Sequence, residues 1–335
     1  LLALQTVFAA KEVLVFGDSL SKEYSVEFPH LDAVNWIEIL DKERHEDFDV
    51  GSFRVFPDFR ATGHKYNWSF PGATTDDMLD NLTGDGFFQE IAQDEIKDHL
   101  RKEVDRVVIF LGGNDMDNRY RSLYANEDPT PIMNRVYENI ESILNLVKRR
   151  NPDLEIVIAN VPHIGATPKT KKEHGTDPVR VGHVTTAIRD LNERLAQLAR
   201  SEGVGYADIF AITMDLLEEK PFCISGVRFQ DDSDADADKL FLWLAGTLAD
   251  EFHPNTNAQA VVANAIIKAF NAQYNAEITP LGGTEILSEL LNIEPDRAFE
   301  EWISCYEPGA LNGPWDDLDG DGRDNFSEFV FDTHP

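Results

Sequence analysis

The sequence predicts an α/β protein with the architecture of a three-layer α/β/α sandwich built on a parallel sheet. Short apolar runs rich in β-branched residues alternate along the chain with helix-like segments, as expected for βαβ units with right-handed crossovers. These runs are nearly continuous in apolar character, which is typical of parallel strands that are buried on both faces. The chain has 335 residues, of which 42% are hydrophobic, and this is enough for a sizeable core.

Five strands and five helices are expected, in alternation. The strand runs are 12–16, 65–70, 106–111, 155–161 and 203–209. The second of them is the weakest. The helical patterns cover 34–46, 86–102, 131–150, 181–202 and 256–272. The pattern over 181–202 has apolar residues at three- and four-residue spacing and is followed by a glycine, which is a helix stop signal.

Two long stretches, 47–64 and 220–240, fit neither pattern and are expected to be irregular. The second contains five aspartates within residues 231–238. Such a run favours a solvated acidic loop, because like charges repel one another and remain in water. A metal site in this run is the less favoured alternative.

The two ends of the sequence differ from the α/β pattern. Residues 1–10 resemble the tail of a secretory signal peptide, which predicts a secreted or periplasmic protein; an extra turn of helix or strand is the alternative. Residues 11–275 are predicted to form one domain. Residues 276–335 are predicted to form a linker and a small helical appendage, because turn-forming residues separate them from the rest. No apolar run reaches the ~20 residues that a spanning helix needs.

The net charge of −31 restricts the partners that this chain can have. The charge argues against nucleic acid as a partner, because phosphate binding requires a basic surface, and against docking on anionic membranes. Stable membrane insertion is not expected. The two cysteines, Cys223 and Cys305, are too few for a disulfide framework. They form one bridge in an oxidising compartment or remain two free thiols. The sequence gives no sign of the oligomeric state.

The stretch KEVLVFGDSLSKEY, residues 11–24, ends the first predicted strand and contains Ser19. Serine after Gly-Asp is common in turns, so this residue is either a turn residue or a nucleophile. A serine nucleophile needs a base, and that base needs a group that orients it. His253 meets both conditions, because Asp250 precedes it by three residues and can place a carboxylate against its Nδ1–H.

Donors for an oxyanion are expected at the ends of two other strands. Asn114 follows the third strand in the segment VVIFLGGNDMDN, and Gly72 follows the second in NWSFPGATTDDML. In an open parallel sheet, ligands bind beyond the carboxyl ends of the strands. An asparagine amide in that position can donate to an oxyanion, and a glycine lets its backbone N–H approach a ligand closely.

The four segments FGDSL, FPGAT, GGND and DEFHP resemble, in this order, the four blocks of the SGNH or GDSL-type serine hydrolase superfamily. The resemblance covers about residues 12–272. It implies a flavodoxin-like five-stranded sheet of order 2-1-3-4-5. It also implies a nucleophile Ser19, a base His253 oriented by Asp250, and an oxyanion hole made by the N–H groups of Ser19 and Gly72 and the Asn114 side chain.

The implied reaction is the hydrolysis of a carboxylic ester, with a short acyl or acetyl group, through an acyl-enzyme and without a cofactor. The substrate would be a small-molecule or polysaccharide ester. A carbohydrate-specific acetylesterase and a non-catalytic binding module are the alternatives. A substrate rim is expected just after Asn114, although surface-loop chemistry explains the same residues. The predicted rim residues are Arg119, Tyr120, Arg121 and Tyr124.

The segment DLDGDGRDNFSE, residues 317–328, matches the calcium-loop pattern with aspartates at positions one, three and five, glycine at six and glutamate at twelve. It resembles the EF-hand or dockerin-like loops of secreted bacterial proteins. A solvated acidic turn is the alternative. The expected Ca²⁺ ligands are Asp317, Asp319, Asp321, the backbone carbonyl of Arg323, Asn325 through a water molecule, and Glu328.

Overall fold

The structure is a computed structural model that describes residues 10–246, 249–294, 299–306, 313–319 and 322–331. The side chains of residues 300, 301, 330 and 331 are not described. Almost all of the predicted signal-peptide remnant, residues 1–9, lies outside these ranges. Within them, no helix combines the length and the apolar character needed to cross a membrane.

A parallel sheet forms the centre of the protein, as predicted. Within the described ranges it has four strands in the order β1-β4-β5-β6. Phe16 of β1 lies opposite Ile109 of β4, and Ile109 lies opposite Ile158 of β5. The strands are β1 (Val13–Gly17), β4 (Arg106–Phe110), β5 (Glu155–Ala159) and β6 (Gly205–Ala207).

The expected second strand, 65–70, is not a full strand, and this corrects the five-stranded prediction. It lies beside β1 but makes only one parallel bridge, between Asn67 and Val15. The Asn67 side chain accepts a hydrogen bond from the Ser69 N–H and donates one to the Ser21 carbonyl. Such an Asx turn bends the backbone, so the pairing with β1 is irregular, although the Trp68 N–H still donates to the Val15 carbonyl and the Phe70 N–H to the Gly17 carbonyl.

The two stretches expected to be irregular contain strands. The first holds an antiparallel hairpin of β2 (Phe53–Val55) and β3 (Thr62–His64). The second holds β7 (Phe222–Ile224) and β8 (Val227–Asp234), which form a three-stranded sheet with β9 (Phe241–Leu244) just after it.

The aspartate run is therefore half strand and half turn. Asp231 accepts hydrogen bonds from the Trp243 indole and the Lys171 ammonium. Asp234 accepts from the backbone N–H groups of residues 236 and 238. These carboxylates fold the chain locally, although most of the run is exposed as expected for an acidic segment.

Helices cover both faces of the sheet. Val107 and Ile109 of β4 point to one face of the sheet and pack in a core with α3 to α6 and α8. Val108 and Phe110 point to the opposite face and pack in a second core with α2, α9 and α10. The helices up to the last long one are α1 (Tyr24–Glu27), α2 (Trp36–Glu43), α3 (Thr75–Thr83), α4 (Phe87–Lys102), α5 (Gly113–Tyr124), α6 (Thr130–Arg150), α7 (Pro168–His174), α8 (Pro178–Glu202), α9 (Ile209–Leu217) and α10 (Thr256–Tyr274). A 3₁₀ turn covers Ile164–Ala166.

The C-terminal part is attached to the sandwich by apolar contacts, an ion pair and a disulfide. Ile278 and Leu287 are buried in the core under α10. Arg44 and Glu285 form a bidentate ion pair. The sequence left the state of the cysteines open, and the structure pairs Cys223 of β7 with Cys305, with 5.8 Å between their Cα atoms. The elements here are α11 (Gly283–Glu285), a π-helical turn (Ile286–Leu290), α12 (Phe299–Ile303) and α13 (Asn325–Phe331).

Candidate active site

Ser19 lies on a tight turn at the carboxyl end of β1. The Asp18 carboxylate accepts a hydrogen bond from the Leu20 N–H, and the Asp18 carbonyl accepts from the N–H groups of Ser21 and Lys22. The next helix, α1, begins at Tyr24. Ser19 is 5% exposed, so the residue is largely buried.

His253 lies within hydrogen-bonding distance of this hydroxyl. Its Nε2 is 2.8 Å from Ser19 Oγ, and its Nδ1 is 2.8 Å from the carbonyl oxygen of Ala249. Because a carbonyl oxygen can only accept, Nδ1 carries the proton. Nε2 is then free to accept a proton from Ser19, which is the arrangement required of a general base.

The loop that carries His253 is fixed by β9 and by α1. The N–H of Leu244 donates to the His253 carbonyl, and the Asn255 N–H donates to the Leu242 carbonyl. On the other side, the Phe28 ring packs edge-to-face on the imidazole at 5.0 Å between centroids. The Tyr24 hydroxyl donates to the Pro254 carbonyl. Contacts on both sides restrict the ring to the orientation that faces Ser19.

Asp250 does not contact the imidazole, and this corrects the predicted orienting contact. The backbone of Asp250 and Glu251 is left-handed, with φ of 51° and 55°. The Asp250 side chain is 64% exposed, and its carboxylate lies 3.5 Å from the Lys169 ammonium. The position against His253 Nδ1 is occupied by the carbonyl of Ala249 instead.

The two predicted oxyanion residues outside the nucleophile turn lie next to one another. The Asn114 side chain donates a hydrogen bond of 3.0 Å to the carbonyl of Ala73, which follows Gly72. Gly72 is exposed, has φ of +75°, and has open space where a side chain would be. Gly112 is also left-handed, with φ of +110°, and a Cβ there would strike Val161. Both glycines therefore occupy conformations that favour glycine.

The N–H groups of Ser19 and Gly72 make no hydrogen bond to any described residue. The turn before Asn114 reaches the nucleophile turn, because a Cβ on Gly113 would lie 3.4 Å from the Asp18 carboxyl. The second amide hydrogen of Asn114 also remains available as a donor.

Burial shifts the pKa values of the ionisable groups around Ser19. It lowers the pKa of His253 below the usual 6.5, with a smaller contribution from the Lys169 charge. It raises the pKa of Asp18 to about 7, partly opposed by the Leu20 N–H. Burial and the Asp18 charge raise the pKa of Glu27 to about 8. A protonated Asp18 is favourable here, because a carboxylate would repel an oxyanion forming nearby.

The predicted aromatic rim is not present, which is a second correction. Tyr120 is 1% exposed and Tyr124 is 7% exposed, and their rings stack 5.9 Å apart within the helix layer. Burial also raises the pKa of Tyr120 to about 12. Both are core residues of α5. Arg119 and Arg121 of the same helix are exposed.

The predicted calcium loop is described only in part, because Asp321 lies outside the described residues. Gly322, at position six of the pattern, has φ of +96°, as the sharp turn of such a loop requires. Glu328, at position twelve, is 1% exposed. Asn325 differs from the expectation: its side-chain oxygen accepts from the Leu318 N–H, and its amide donates to the Gly313 carbonyl. Asn325 therefore closes the loop.

Sequence reasoning missed three parts of the site: the Ala249 carbonyl, the aromatic contacts from α1, and Lys169. The Lys169 ammonium lies between the carboxylates of Asp250 and Asp117, at 3.5 Å and 3.7 Å. A backbone carbonyl leaves no mark in a residue pattern, so no sequence signal could have identified Ala249.

A model of the GDSL-like lipase/acylhydrolase family matches residues 13–266. No curated protein matches the sequence. The structure is similar to an extracellular lipase from Streptomyces rimosus, at 16% identity over 78% of this chain and 100% of that chain, with a TM-score of 0.46. It is also similar to phospholipase A1 from Streptomyces albidoflavus, at 15% identity over 79% and 100%, with a TM-score of 0.43.

Proposed function

Because this chain belongs to the GDSL-like lipase/acylhydrolase family, we propose that it cleaves carboxylic esters of short acyl or acetyl groups through an acyl-enzyme on Ser19. The observation that carries the proposal is the 2.8 Å contact between Ser19 Oγ and His253 Nε2. A serine hydroxyl is a weak nucleophile until a base takes its proton, and this contact supplies that base.

In the first step, Ser19 Oγ attacks the ester carbonyl while its proton passes to His253 Nε2. The carbonyl oxygen becomes an oxyanion, which the N–H groups of Ser19 and Gly72 and the Asn114 amide stabilise. His253 is then an imidazolium whose Nδ1–H still donates to the Ala249 carbonyl. This hydrogen bond keeps the ring in place while it carries the positive charge.

In the second step, the oxyanion collapses and the bond to the alcohol oxygen breaks. His253 gives its proton to the leaving alcohol, and the acyl group remains on Ser19. Water then enters, and His253 takes one of its protons as it attacks the acyl-enzyme. The second tetrahedral oxyanion uses the same donors. As it collapses, the bond between the acyl carbon and Ser19 Oγ breaks, the acid is released, and His253 returns its proton to Ser19 Oγ. This sequence needs no metal or cofactor.

Esterases that share this chemistry can differ in the alcohol part of the ester that they bind. An esterase acting on acetylated polysaccharide is the alternative within the same chemistry. The aromatic residues of the predicted rim, which could have contacted a sugar ring, are buried in α5. We therefore propose a small-molecule ester of short acyl chain as the substrate class.

A panel of p-nitrophenyl esters of increasing acyl length, run beside acetylated polysaccharide, tests both parts of this proposal. The Ser19→Ala variant tests whether Ser19 is the nucleophile. Ser25 is an exposed serine six residues later, and Ser25→Ala is the matched control. Hydrolysis that Ser19→Ala abolishes and Ser25→Ala retains supports the esterase. Activity on the polysaccharide alone favours the acetylesterase, and no activity in the unaltered protein favours a binding module.

We also propose that the protein acts outside the cytoplasm and carries Ca²⁺ in the loop 317–328. The bridge between Cys223 and Cys305 supports the location, since such bridges persist in oxidising compartments. The left-handed Gly322 and the buried Glu328 support the calcium site. Asp317 and Asp319 would add hard oxygen ligands. A Ca²⁺-dependent rise in Tm that Glu328→Gln removes tests this site, and no rise contradicts it.

The strong negative charge argues against nucleic acid and anionic membranes as partners.

A further inference from the structure

A cluster of two aspartates and two histidines lies outside the active site, and the proposed esterase chemistry does not use it. Asp41 is in the last turn of α2, and His45 follows the end of that helix. Asp49 lies beside the start of β1, where its carbonyl accepts from the Val13 N–H at 2.8 Å. His64 is the last residue of β3. Three separate parts of the fold thus meet at one point.

The possible ligand atoms of this cluster lie near one another, but they are further apart than the ligands of a bound metal ion. One ligand atom each from Asp41, His45 and Asp49 lie within 4.8 Å of one another. His45 Nε2 is 3.9 Å from Asp49 Oδ2, and His64 Nε2 is 3.9 Å from Asp41 Oδ2. Tetrahedral ligands bound at ~2.0–2.1 Å are about 3.3 Å apart. Binding one ion would therefore draw these side chains closer together than they lie in the structure.

Each carboxylate is held by its other oxygen. Asp41 Oδ1 accepts from the Val50 N–H at 3.1 Å, and Asp49 Oδ1 accepts from the Gly51 N–H at 2.7 Å. Asp49 Oδ2 faces His45 Nε2, Asp41 Oδ2 faces His64 Nε2, and Asp41 Oδ1 also lies 3.6 Å from His45 Nδ1. Hydrogen bonds that fix the ligands from behind are the usual second shell of a metal site.

His64 has a second-shell partner as well. Its Nδ1 lies 3.0 Å from the Glu23 carboxylate, whose side chain is completely buried. This contact places the proton on Nδ1 and directs the Nε2 lone pair towards Asp41. A carboxylate behind a histidine is characteristic of metal-binding histidines.

From this geometry we propose that Asp41, His45 and Asp49, with His64 as the fourth ligand, bind one divalent transition-metal ion of the Zn²⁺ class. Two carboxylates and two imidazoles are a mixed oxygen and nitrogen set that suits such ions better than Ca²⁺ or Mg²⁺. The ion would join the end of α2, the start of β1 and the β2–β3 hairpin. Because Glu23 follows the nucleophile turn, the ion would also brace that turn from behind.

Ion pairs alone are the competing explanation, since protonated histidines beside carboxylates need no metal. An imidazole must be neutral to bind a metal, so a metal site predicts binding that is stronger at alkaline pH.

The test measures binding of Zn²⁺ to the full chain after removal of metals with a chelator, by calorimetry at about pH 8. His45→Gln and Asp49→Asn remove single ligands, and His30→Gln, an exposed histidine outside the cluster, is the matched control. His45 is largely exposed, so its replacement should not unfold the chain. Saturating Ca²⁺ and a Glu328→Gln variant separate this site from the C-terminal loop.

We expect one equivalent of Zn²⁺ to bind the unaltered chain and His30→Gln with a Kd of about 10 µM or lower. Each ligand variant should weaken binding at least ~10-fold. Co²⁺ should give the visible absorption of a four-coordinate site, and His45→Gln should abolish it. Failure of Zn²⁺ to bind below about 1 mM, or equal binding to His45→Gln, would overturn the proposal. Ester hydrolysis is not a readout here, so the result is independent of the esterase proposal.

Discussion

Ser19 and His253 are 234 positions apart in the sequence, yet Ser19 Oγ lies 2.8 Å from His253 Nε2. The two residues come from the first strand and from the loop before the last long helix. Both are at least nine-tenths buried. Since polar side chains are rarely buried in contact without a structural or chemical reason, this pair is the centre of the proposed esterase.

The contact between His253 Nδ1 and the Ala249 carbonyl predicts that Asp250→Asn is a mild variant. The Asp250 carboxylate is exposed and pairs with Lys169, so its loss should lower kcat less than about tenfold. A carboxylate that orients the base would cost about 10⁴ in kcat, as in the Asp-to-Asn change of the chymotrypsin-type triad. Steady-state kinetics on a p-nitrophenyl ester distinguish the two values.

Lys169→Met is the control for this experiment. It removes the same ion pair from the other side, so its kcat should match that of Asp250→Asn within a few fold. A loss near 10³ or more in Asp250→Asn, with Lys169→Met unaffected, would restore the Asp250 carboxylate as the group that orients His253.

Asn114→Ala should lower kcat by about 10²–10³ with little change in KM, because an oxyanion donor acts mainly in the transition state. The Asn114 side chain also donates to the Ala73 carbonyl, so thermal unfolding should be measured to exclude a collapsed loop. Asn134→Ala, an exposed asparagine on α6, is the matched control and should keep full activity. A change confined to KM would exclude Asn114 from the oxyanion hole.

The buried imidazole predicts that His253 titrates below 6.5, because burial disfavours its charged form. The neutral form, which is the base, then persists as the pH falls through the range where an exposed histidine protonates. Asp18 and Glu27 titrate near neutral pH, so a pH–rate profile would mix three groups. Nuclear magnetic resonance of the ring nitrogens, assigned with His253→Gln, measures the pKa directly. Lys169→Met should raise it, and a value above 6.5 would contradict the buried site.

The Cys223–Cys305 bridge closes a loop of 82 residues, so Cys305→Ser should destabilise the protein. Loss of a native disulfide costs about 2–5 kcal/mol, because the unfolded chain gains freedom. Chemical denaturation of the oxidised protein and of Cys305→Ser gives the difference. Equal stability would mean that the bridge contributes nothing to the folded state. Short-acyl ester hydrolysis at low temperature should persist, since both cysteines lie away from Ser19.

Much of the sheet and its long helices could be predicted from the sequence because the pattern there is strong. The segments 86–102, 131–150 and 181–202 are helical in the structure to within a few residues. The buried strands β1, β4 and β5 were equally clear, since continuous apolar runs leave few alternatives. The strand at 65–70 failed because the Asn67 side chain turns the backbone.

The parts of the site that the sequence missed depend on backbone geometry. The D-x-x-H spacing predicted a carboxylate on His253, but left-handed residues at Asp250 and Glu251 present the Ala249 carbonyl instead. Tyr120 and Tyr124 were predicted to line the substrate site because they follow Asn114. The periodicity of α5 instead places both side chains in the core, where their rings stack. Strand β8 was hidden by its aspartates, whose charge suggested a solvated loop.

Covalent trapping tests the central claim, that Ser19 is an activated nucleophile, most directly. A p-nitrophenyl phosphonate ester reacts with an activated serine and leaves its phosphonyl group on the attacking oxygen. Mass spectrometry of proteolytic peptides should locate one such group on Ser19 in the unaltered protein and in Ser25→Ala. It should find none on any serine in His253→Gln. Labelling of a different residue, or equal labelling without His253, would contradict the account.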